Sequence, residues 1–383
     1  MVVAANFLVV AARMSVVTFL GIYFVRVTGI ELAVVGAAFL LENVLRGTLA
    51  PLFGALSDRV GRRALLIPAA AVTAAALPCF LLVSGPASLI AWSMAIGVAG
   101  AVNMPVASAL LLDLAPPERR QAVLALNYTV MSVAYTLGVM PAGYVAERSY
   151  AVLAGLSAVG FLMVALLYFL ALRSPLPLEP ARQTGVLRET VSAFTDRSFL
   201  LFASLAVVFP LSMGLVVITS PIFGADLGLG EGYIGLVLGG NSIIVAALAV
   251  PVAARIEPSG PFRMLGASAL LVAAGLACYA LVPGAAAALL IGTVVFSFGE
   301  LVFSSAVPAA IARLAPAGRR GAYQGAWALV GSFAMGSALV LSSALREALG
   351  WPGAWLAYAG LALAAAAALF ALRERLLRLS QNA

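Results

Sequence analysis

The sequence contains neither histidine nor lysine. Because histidine is the side chain that titrates nearest neutral pH, any proton chemistry has to run through carboxylates or water. The two cysteines, Cys79 and Cys278, lie in long apolar runs and form no disulfide or metal-binding pattern. The net charge of +7 is carried by arginine. Carboxylates and arginines are therefore the side chains to examine for function.

Charge of either sign is scarce. Charged residues make up 10% of the 383 residues and hydrophobic residues 63%, whereas soluble domains carry about 25% charged residues. Repeated apolar stretches of about 20 residues predict a polytopic helical membrane protein. The stretches are continuous and do not alternate with polar residues, which excludes a β-barrel. In such a chain the arginine excess indicates cytoplasmic loops and contact with the lipid bilayer, not nucleic acid.

The apolar runs predict an all-α protein with 12 transmembrane helices. Between the sixth and seventh spans, residues 173–197 are too polar to cross a membrane, and Val186–Phe194 is predicted to form a short amphipathic helix on the membrane surface. The predicted organisation is a bundle over 1–172, a cytoplasmic linker over 173–197 and a second bundle over 198–383. The approximate spans are 3–28, 33–55, 64–84, 87–112, 121–146, 150–172, 198–223, 233–254, 263–283, 285–312, 321–346 and 352–373.

Arginine placement predicts the orientation in the membrane. If the N-terminus is inside, most arginines outside the apolar runs fall at cytoplasmic ends, and only Arg26, Arg148 and Arg346 fall at the opposite ends. Such an asymmetry is the positive-inside pattern. We therefore expect an integral protein of the inner or plasma membrane with both termini in the cytoplasm. The first apolar run lacks the layout of a signal peptide and is expected to be retained.

The two halves repeat each other at an offset of 199 to 200 residues. Leu114–Pro116 followed by two arginines recurs as Leu314–Pro316 followed by two arginines, and Asp58 maps onto Glu257. Each half has six predicted spans, so the copies are parallel repeats related by an axis along the membrane normal. The fold class predicted from this pattern is two pseudo-symmetric six-helix bundles.

A basic, glycine-punctuated segment lies between the second and third spans, and it must sit at a membrane face because irregular backbone cannot lie in hydrocarbon. It reads G-x-L-S-D-R-x-G-R-R-x-x-L, which resembles the signature loop between helices 2 and 3 of major facilitator superfamily transporters. Glu257, Gly260 and Arg263 resemble a decayed second copy. The specified residues that we examine as a cytoplasmic gate are Gly54, Asp58, Arg59, Gly61, Arg62 and Arg63.

The resemblance implies how such a gate works. In the superfamily the loop aspartate faces the start of helix 11, and the arginine four residues later pairs with an acid at the end of helix 4. Asp58, Arg62 and Asp113 match these positions. An anion suits the positive end of a helix dipole, and an arginine can hold a second carboxylate. The alternative is that these charges only set the topology.

Two sets of mid-span charges are candidates for proton coupling. Glu42, Asn43 and Arg46 lie near the middle of the second span, where a charge costs about 2.5–3.5 kcal/mol on insertion scales. Glu42 and Arg46 could pair with each other at i and i+4, or form a substrate or proton site. Glu300 in the tenth span has no basic residue within two turns of its own helix. It is either a proton carrier or a structural acid that joins helices.

Other polar residues at cavity depth are candidates for substrate contact, with helix–helix hydrogen bonding as the alternative. Arg13 in the first span could bind an anionic substrate or neutralise Glu42 or Glu300. The substrate-cavity candidates are Arg13, Asn43, Arg46, Asn127, Tyr128, Asn241, Gln324 and Trp327.

The residues resemble the drug:proton antiporter branch of the superfamily most, with departures. That branch usually carries an arginine four residues before the glycine at Gly97, where this chain has Ser93. Our first hypothesis is proton-driven efflux of amphipathic small molecules by a monomer, powered by the proton gradient without a cofactor. The alternatives are uptake or facilitated transport of a small organic anion, and a non-transporting sensor or lipid-handling protein. We see no nucleophile–base pair, metal cluster or nucleotide loop that would indicate an enzyme.

Overall fold

The computed structural model describes residues 1–116, 119–171, 186–316, 319–372 and 374. Within these ranges every regular element is a helix. Among the described residues, eleven helices are long and apolar enough to cross a membrane. The chain is thus an all-helical protein with membrane-length helices throughout its described part.

Six long helices form the first half of the chain. Two of them change their winding before they end: the first closes with a π-helical turn at Tyr23–Val27 and the third with a 3₁₀ turn at Leu77–Leu82. The elements are α1 (Val2–Ile22), α2 (Leu32–Val60), α3 (Arg62–Ala76), α4 (Pro86–Leu114), α5 (Arg120–Arg148) and α6 (Tyr150–Ala171).

The second half begins with a short amphipathic helix. A π-helical segment, Leu215–Thr219, joins α9 to α10, so that α8 to α10 together form one membrane-length span. The elements are α7 (Val186–Ala193), α8 (Arg197–Ala206), α9 (Val208–Gly214), α10 (Ser220–Asp226), α11 (Glu231–Ser259), α12 (Pro261–Leu281), α13 (Ala285–Leu314) and α14 (Arg320–Ala371). The 52-residue α14 contains one non-helical residue, Gly350, with φ 66° and ψ 175°.

The first ten predicted spans and the amphipathic helix predicted at 186–194 lie close to observed helices. The eleventh and twelfth predicted spans, 321–346 and 352–373, both fall within the 52-residue α14. The predicted signature loop is wrong in extent, because α2 continues to Val60 and only Gly61 breaks the helix. The helical ladder persists to that point, since the Gly61 amide donates to the Ser57 carbonyl at 3.0 Å. Gly61 then turns the chain with φ 90°, a conformation that costs glycine nothing.

The same device recurs in the second half. Gly260 separates α11 from α12 with φ 80° and ψ 124°, close to the φ 90° and ψ 146° of Gly61. The two glycines lie 199 residues apart in the sequence. Gly29 and Gly228 have the same offset and φ values of 70° and 85°. The internal repeat inferred from the sequence therefore extends to the backbone conformation at equivalent turns.

The described helices cluster into two compact units. Unit 1 comprises Met1–Thr184 with Gly230–Ser242, and unit 2 comprises Gly185–Leu229 with Ile243–Ala383. In unit 1, α1 packs against α5 and α6, while α2 and α3 pack against α4. In unit 2, α12 packs against α13 and α14, and α7 and α9 also pack against α14.

Glycines allow the helices of unit 1 to approach closely. A Cβ atom at Gly97 of α4 would lie 2.8 Å from the carbonyl oxygen of Glu42 in α2. A Cβ atom at Gly138 of α5 would lie 2.6 Å from the carbonyl oxygen of Ala11 in α1. Small residues at such crossings bring backbones together in membrane proteins. These two contacts set the positions of α1 and α2, the helices that carry the charged residues Arg13, Glu42 and Arg46.

Candidate functional site

The centre of unit 1 contains an ion pair between two helices. Nη2 of Arg13 on α1 donates to Oε1 of Glu42 on α2. The two side chains are 14% and 3% exposed, so the pair is nearly withdrawn from the surface. The carboxylate thus pairs with Arg13 of another helix, and not with Arg46 of its own helix as the sequence spacing had suggested. Removing one partner of a buried pair leaves an uncompensated charge, so each residue depends on the other for its stability in this position.

Arg46 joins the cluster through an amide. Its Nη2 donates to Oδ1 of Asn43, and Nδ2 of Asn43 donates to the Phe39 carbonyl at 2.9 Å. The charges of Arg13 and Glu42 both act on the Arg46 guanidinium. Two arginines and one carboxylate give the cluster a formal charge of +1. The structure therefore brings together four of the predicted residues: Arg13, Glu42, Asn43 and Arg46.

Gly100 on α4 makes room for both arginines. A Cβ atom at this position would lie 3.1 Å from Nη1 of Arg13 and 3.4 Å from Cδ of Arg46. One turn further, Asn103 is 6% exposed, and its Oδ1 atom has no hydrogen-bond partner. The buried Nε of Arg13 also has none. Sequence reasoning missed Gly100 and Asn103, although their spacing of three residues places them on neighbouring positions of one helix face.

Asn127 belongs to a separate polar network in unit 1. Its Oδ1 accepts a 2.8 Å hydrogen bond from Asn6, and Asn6 accepts a 3.2 Å bond from the hydroxyl of Tyr168. Nδ2 of Asn127 donates to the sulfur of Met131 at 3.3 Å. These bonds join α1, α5 and α6 in a buried region, which favours the helix-joining role for Asn127 over substrate contact. The side chain of Tyr128 lies outside the described residues.

The remaining predicted residues lie in several places. Glu300 is half-buried on α13 in unit 2 and takes part in a hydrogen-bonding or electrostatic interaction. Asn241 is 9% exposed and also has an interaction partner. Nε2 of Gln324 donates a long 3.4 Å hydrogen bond to the Pro308 carbonyl. Trp327 packs against the Phe202 ring at 5.7 Å between centroids, as a core aromatic does.

The predicted gate residues meet around one guanidinium. Arg62 at the start of α3 pairs with Asp113 at the end of α4, with Nε and Oδ2 separated by 3.0 Å. Its Nη1 lies 2.5 Å from Oδ1 of Asp58 and also donates to the buried hydroxyl of Ser57. Arg62 is 15% exposed and both aspartates are 42% exposed. The arginine therefore ties the end of α2, the start of α3 and the end of α4 together.

The other signature residues surround this centre. Arg59 is exposed. Arg63 lies over the ring of Phe169 on α6, 5.0 Å from its centroid. A Cβ atom at Gly54 would be in ordinary contact with Pro105 at 3.9 Å. Arg63 thus adds a cation–π contact that fastens α3 to α6.

A second polar junction, which sequence reasoning missed, holds α7 and α8 against the start of α14. Oδ2 of Asp196 accepts from the Tyr323 hydroxyl at 2.5 Å, and its Oδ1 caps α8 through the Ser198 amide at 2.7 Å. Arg319 donates to the hydroxyl of Ser192. Burial alone would raise the pKa of Asp196, but the hydrogen bonds from Tyr323, Ser198 and the Phe199 amide outweigh it and lower the pKa. The available sequence signal was an aspartate directly before a helix start.

The comparisons with known proteins now identify the family. The chain matches the Major Facilitator Superfamily over residues 2–230 and again over 202–382, and it belongs to that superfamily. A "Na(+), Li(+), K(+)/H(+) antiporter" of Planococcus maritimus is 26% identical over 341 residues, which cover 80% of this chain and 79% of the relative.

Solved structures agree on the fold. The nucleoside transporter NupG superposes with a TM-score of 0.82 at 14% identity, over 97% of this chain and 98% of NupG. A POT family transporter in complex with 5-aminolevulinic acid gives a TM-score of 0.79 at 14% identity, over 98% of this chain and 96% of the other. This chain is therefore a membrane transporter of the major facilitator fold.

Proposed function

We propose that this chain is a proton-coupled antiporter that exports amphipathic small molecules by alternating access. In this proposal Gly350 divides α14 into two spans, which gives twelve transmembrane helices in two six-helix bundles. The positive-inside distribution of arginine favours a cell-membrane location with both termini in the cytoplasm. The antiporter of P. maritimus supports proton exchange. A monomer without cofactors suffices for this cycle.

The buried Arg13–Glu42 pair carries the proposal. Its carboxylate can hold either the guanidinium or a proton, and no histidine is present to share that role. Protonation of Glu42 would remove the attraction that joins α1 to α2. It would also change the formal charge of the cluster from +1 to +2, which repels a cationic substrate. Competition of this kind between proton and substrate is the basis of antiport.

Glu300 is the second proposed proton-coupling residue. It lies on α13 in unit 2, directly after Gly299, whose carbonyl accepts a 2.8 Å hydrogen bond from Ser268 of α12. The preceding backbone is thus held by a neighbouring helix, which keeps the carboxylate at a fixed depth. A half-buried carboxylate in a membrane span marks a proton or ion pathway more often than a purely structural position.

Proton flux in proteoliposomes tests the proposal. Wild-type protein, Glu42→Gln and Glu300→Gln would be challenged with lipophilic cations, alkali metal cations and organic anions under an imposed pH gradient. We expect lipophilic cations to drive proton movement in wild type, and Glu42→Gln to abolish it. Glu347→Gln is the matched control, because Glu347 is an exposed carboxylate of α14 outside the cluster. Equal proton flux in Glu42→Gln and wild type would overturn the assignment.

A second candidate function, proton-linked uptake of a small organic anion, is favoured by the charge of the cluster. Two arginines face one carboxylate, so a substrate carboxylate could pair with the arginine that Glu42 leaves unneutralised. In this case protonation of Glu42 would promote anion binding, and proton and anion would move in the same direction. The flux assay distinguishes the two functions by the sign of proton movement on addition of each substrate class.

A further inference from the structure

The charged cluster of unit 1 carries a net positive charge. It combines Arg13, Arg46 and a single carboxylate, Glu42, in the middle of membrane-length helices. An uncompensated charge at that depth is unfavourable on insertion scales. Proteins generally meet such a cost with a counter-charge, a hydrogen-bonding partner or a bound ion.

Two buried polar atoms in or near the cluster also lack hydrogen-bond partners. Arg13 uses Nη2 for Glu42, while its buried Nε has no acceptor. Asn103, one turn from Gly100 on α4, has a buried amide oxygen without a donor. Amide oxygen and nitrogen exchange places on a flip of the side chain, so that Asn103 can also present donors. The unused Nε donor of Arg13 beside a surplus positive charge suits an anion, and a flipped Asn103 amide would add a second donor.

Gly100 supplies the space. Because it has no Cβ, the guanidinium of Arg13 and the aliphatic stem of Arg46 both lie against the α4 backbone, within 3.1 Å and 3.4 Å of where that atom would be. Any larger residue would push the arginines away from this face of α4.

We infer that Arg13, Arg46 and Asn103, above Gly100, form a subsite for one monovalent anion with oxygen or halide chemistry. Its occupant is either a free inorganic anion or the carboxylate of a transported molecule. The inference rests on the proposed function only in taking this cluster as the mid-span site. It deepens the second candidate function by naming the class of anion that the site accepts, whereas the export proposal invokes a cationic substrate.

Thermal unfolding of the purified full-length protein in detergent, without any gradient, tests the subsite. Potassium chloride, nitrate and acetate would each be titrated against potassium sulfate, whose anion is divalent, at constant ionic strength. We expect the unfolding temperature to rise and saturate with the small anions, by roughly a few degrees at ten times the dissociation constant. Stabilisation by acetate without chloride identifies a substrate carboxylate as the occupant, whereas stabilisation by chloride identifies a free anion. The absence of any dependence on the anion overturns the inference.

Variants make the test specific. Arg46→Gln should abolish the anion dependence, and Arg255→Gln should retain it, because Arg255 is exposed and bonds only its own helix at Pro251. Gly100→Ala preserves every charge and should weaken anion binding several-fold by crowding the arginines. Its control is Gly155→Ala, where a Cβ meets no atom within 4 Å. Anion stabilisation that survives in both Arg46→Gln and Gly100→Ala contradicts the subsite.

Because no transport is measured, loss of the subsite and failure of the antiport proposal give separate results.

Discussion

Arg62 donates from Nε to Oδ2 of Asp113 at 3.0 Å, while its Nη1 approaches Asp58 within 2.5 Å. One guanidinium therefore holds two carboxylates from different helices. Both aspartates are 42% exposed, so each contact contributes little to stability, about 0–1 kcal/mol. Weak contacts of this kind are consistent with the cytoplasmic gate that the sequence predicts at this junction.

The first prediction concerns this junction. Asp58→Asn should reduce transport about tenfold or more, because the neutral amide no longer attracts the guanidinium of Arg62 or a helix N-terminus. Membrane insertion and the unfolding temperature should remain close to wild type, since the pair is exposed. Substrate flux and protein yield from the same membranes measure both quantities. A loss of insertion would indicate that Asp58 only sets topology.

A second prediction concerns the energetic coupling between Arg13 and Glu42. Glu42→Gln alone leaves a buried guanidinium without its partner and should destabilise the protein by about 3–5 kcal/mol. Arg13→Gln together with Glu42→Gln should recover a large part of that loss. A double-mutant cycle on unfolding in detergent measures the coupling energy. Additive effects of the two substitutions would show that the pair is energetically unimportant.

The crossing of α2 and α4 gives a third prediction. Gly97→Ala places a methyl group 2.8 Å from the Glu42 carbonyl oxygen and 3.1 Å from its Cα, both backbone atoms. The helices must separate, and we expect a loss of about 1–3 kcal/mol. Gly155→Ala, in open space, should be neutral or stabilise by up to about 1 kcal/mol. Unfolding curves of the two variants compare directly, and equal stability would contradict the close crossing.

The fourth prediction is a pH dependence that originates at Asp196. Its pKa is lowered below the ordinary value of 3.8 in the folded protein, so ionised Asp196 stabilises the fold above that pH. The contribution is lost as the pH falls from 3.8 through the lowered folded pKa. Tyr323→Phe removes one of the hydrogen bonds that lower this pKa.

This variant should therefore unfold at a lower temperature than wild type near neutral pH, and the difference should shrink in acid. Unfolding temperatures measured from pH 7 down to pH 3 give the comparison. Ser204→Ala is a hydroxyl control, because that hydroxyl bonds the Leu201 carbonyl of its own helix. A difference between wild type and Tyr323→Phe that grows as the pH falls would contradict the role of Asp196.

Helix positions were predictable because membrane spans follow from the length and hydropathy of local sequence. The ends of α2 and α11 were not predictable, because polar residues before a glycine can remain helical. In both places a single glycine, Gly61 or Gly260, turns the chain. The second copy of the signature was correctly located from the sequence, and its backbone follows the first. The local sequence was therefore enough to locate the helices, but not to show how far a helix continues at a membrane face.

The residues of the charged cluster were predictable one by one, but the sequence left the partner of Glu42 open between Arg46 and Arg13. Helical spacing compares Glu42 only with its own helix, which made Arg46 the nearest partner. Arg13 lies on another helix, and its approach depends on the crossings at Gly97 and Gly100. Whether a glycine lies against another helix or faces open space depends on the residues opposite it. The tertiary structure determines those residues, and the local sequence does not show them.

The Arg13–Glu42 pair also has a consequence for biosynthesis. The two residues are separated by 29 positions, so Arg13 emerges from the ribosome ahead of its counter-charge. Alone in α1, the arginine makes partition into lipid less favourable by about 2.5–3.5 kcal/mol. The first helix therefore gains from waiting beside the insertion machinery until α2 arrives, and the two should enter the bilayer together as a hairpin in which Glu42 pairs with Arg13.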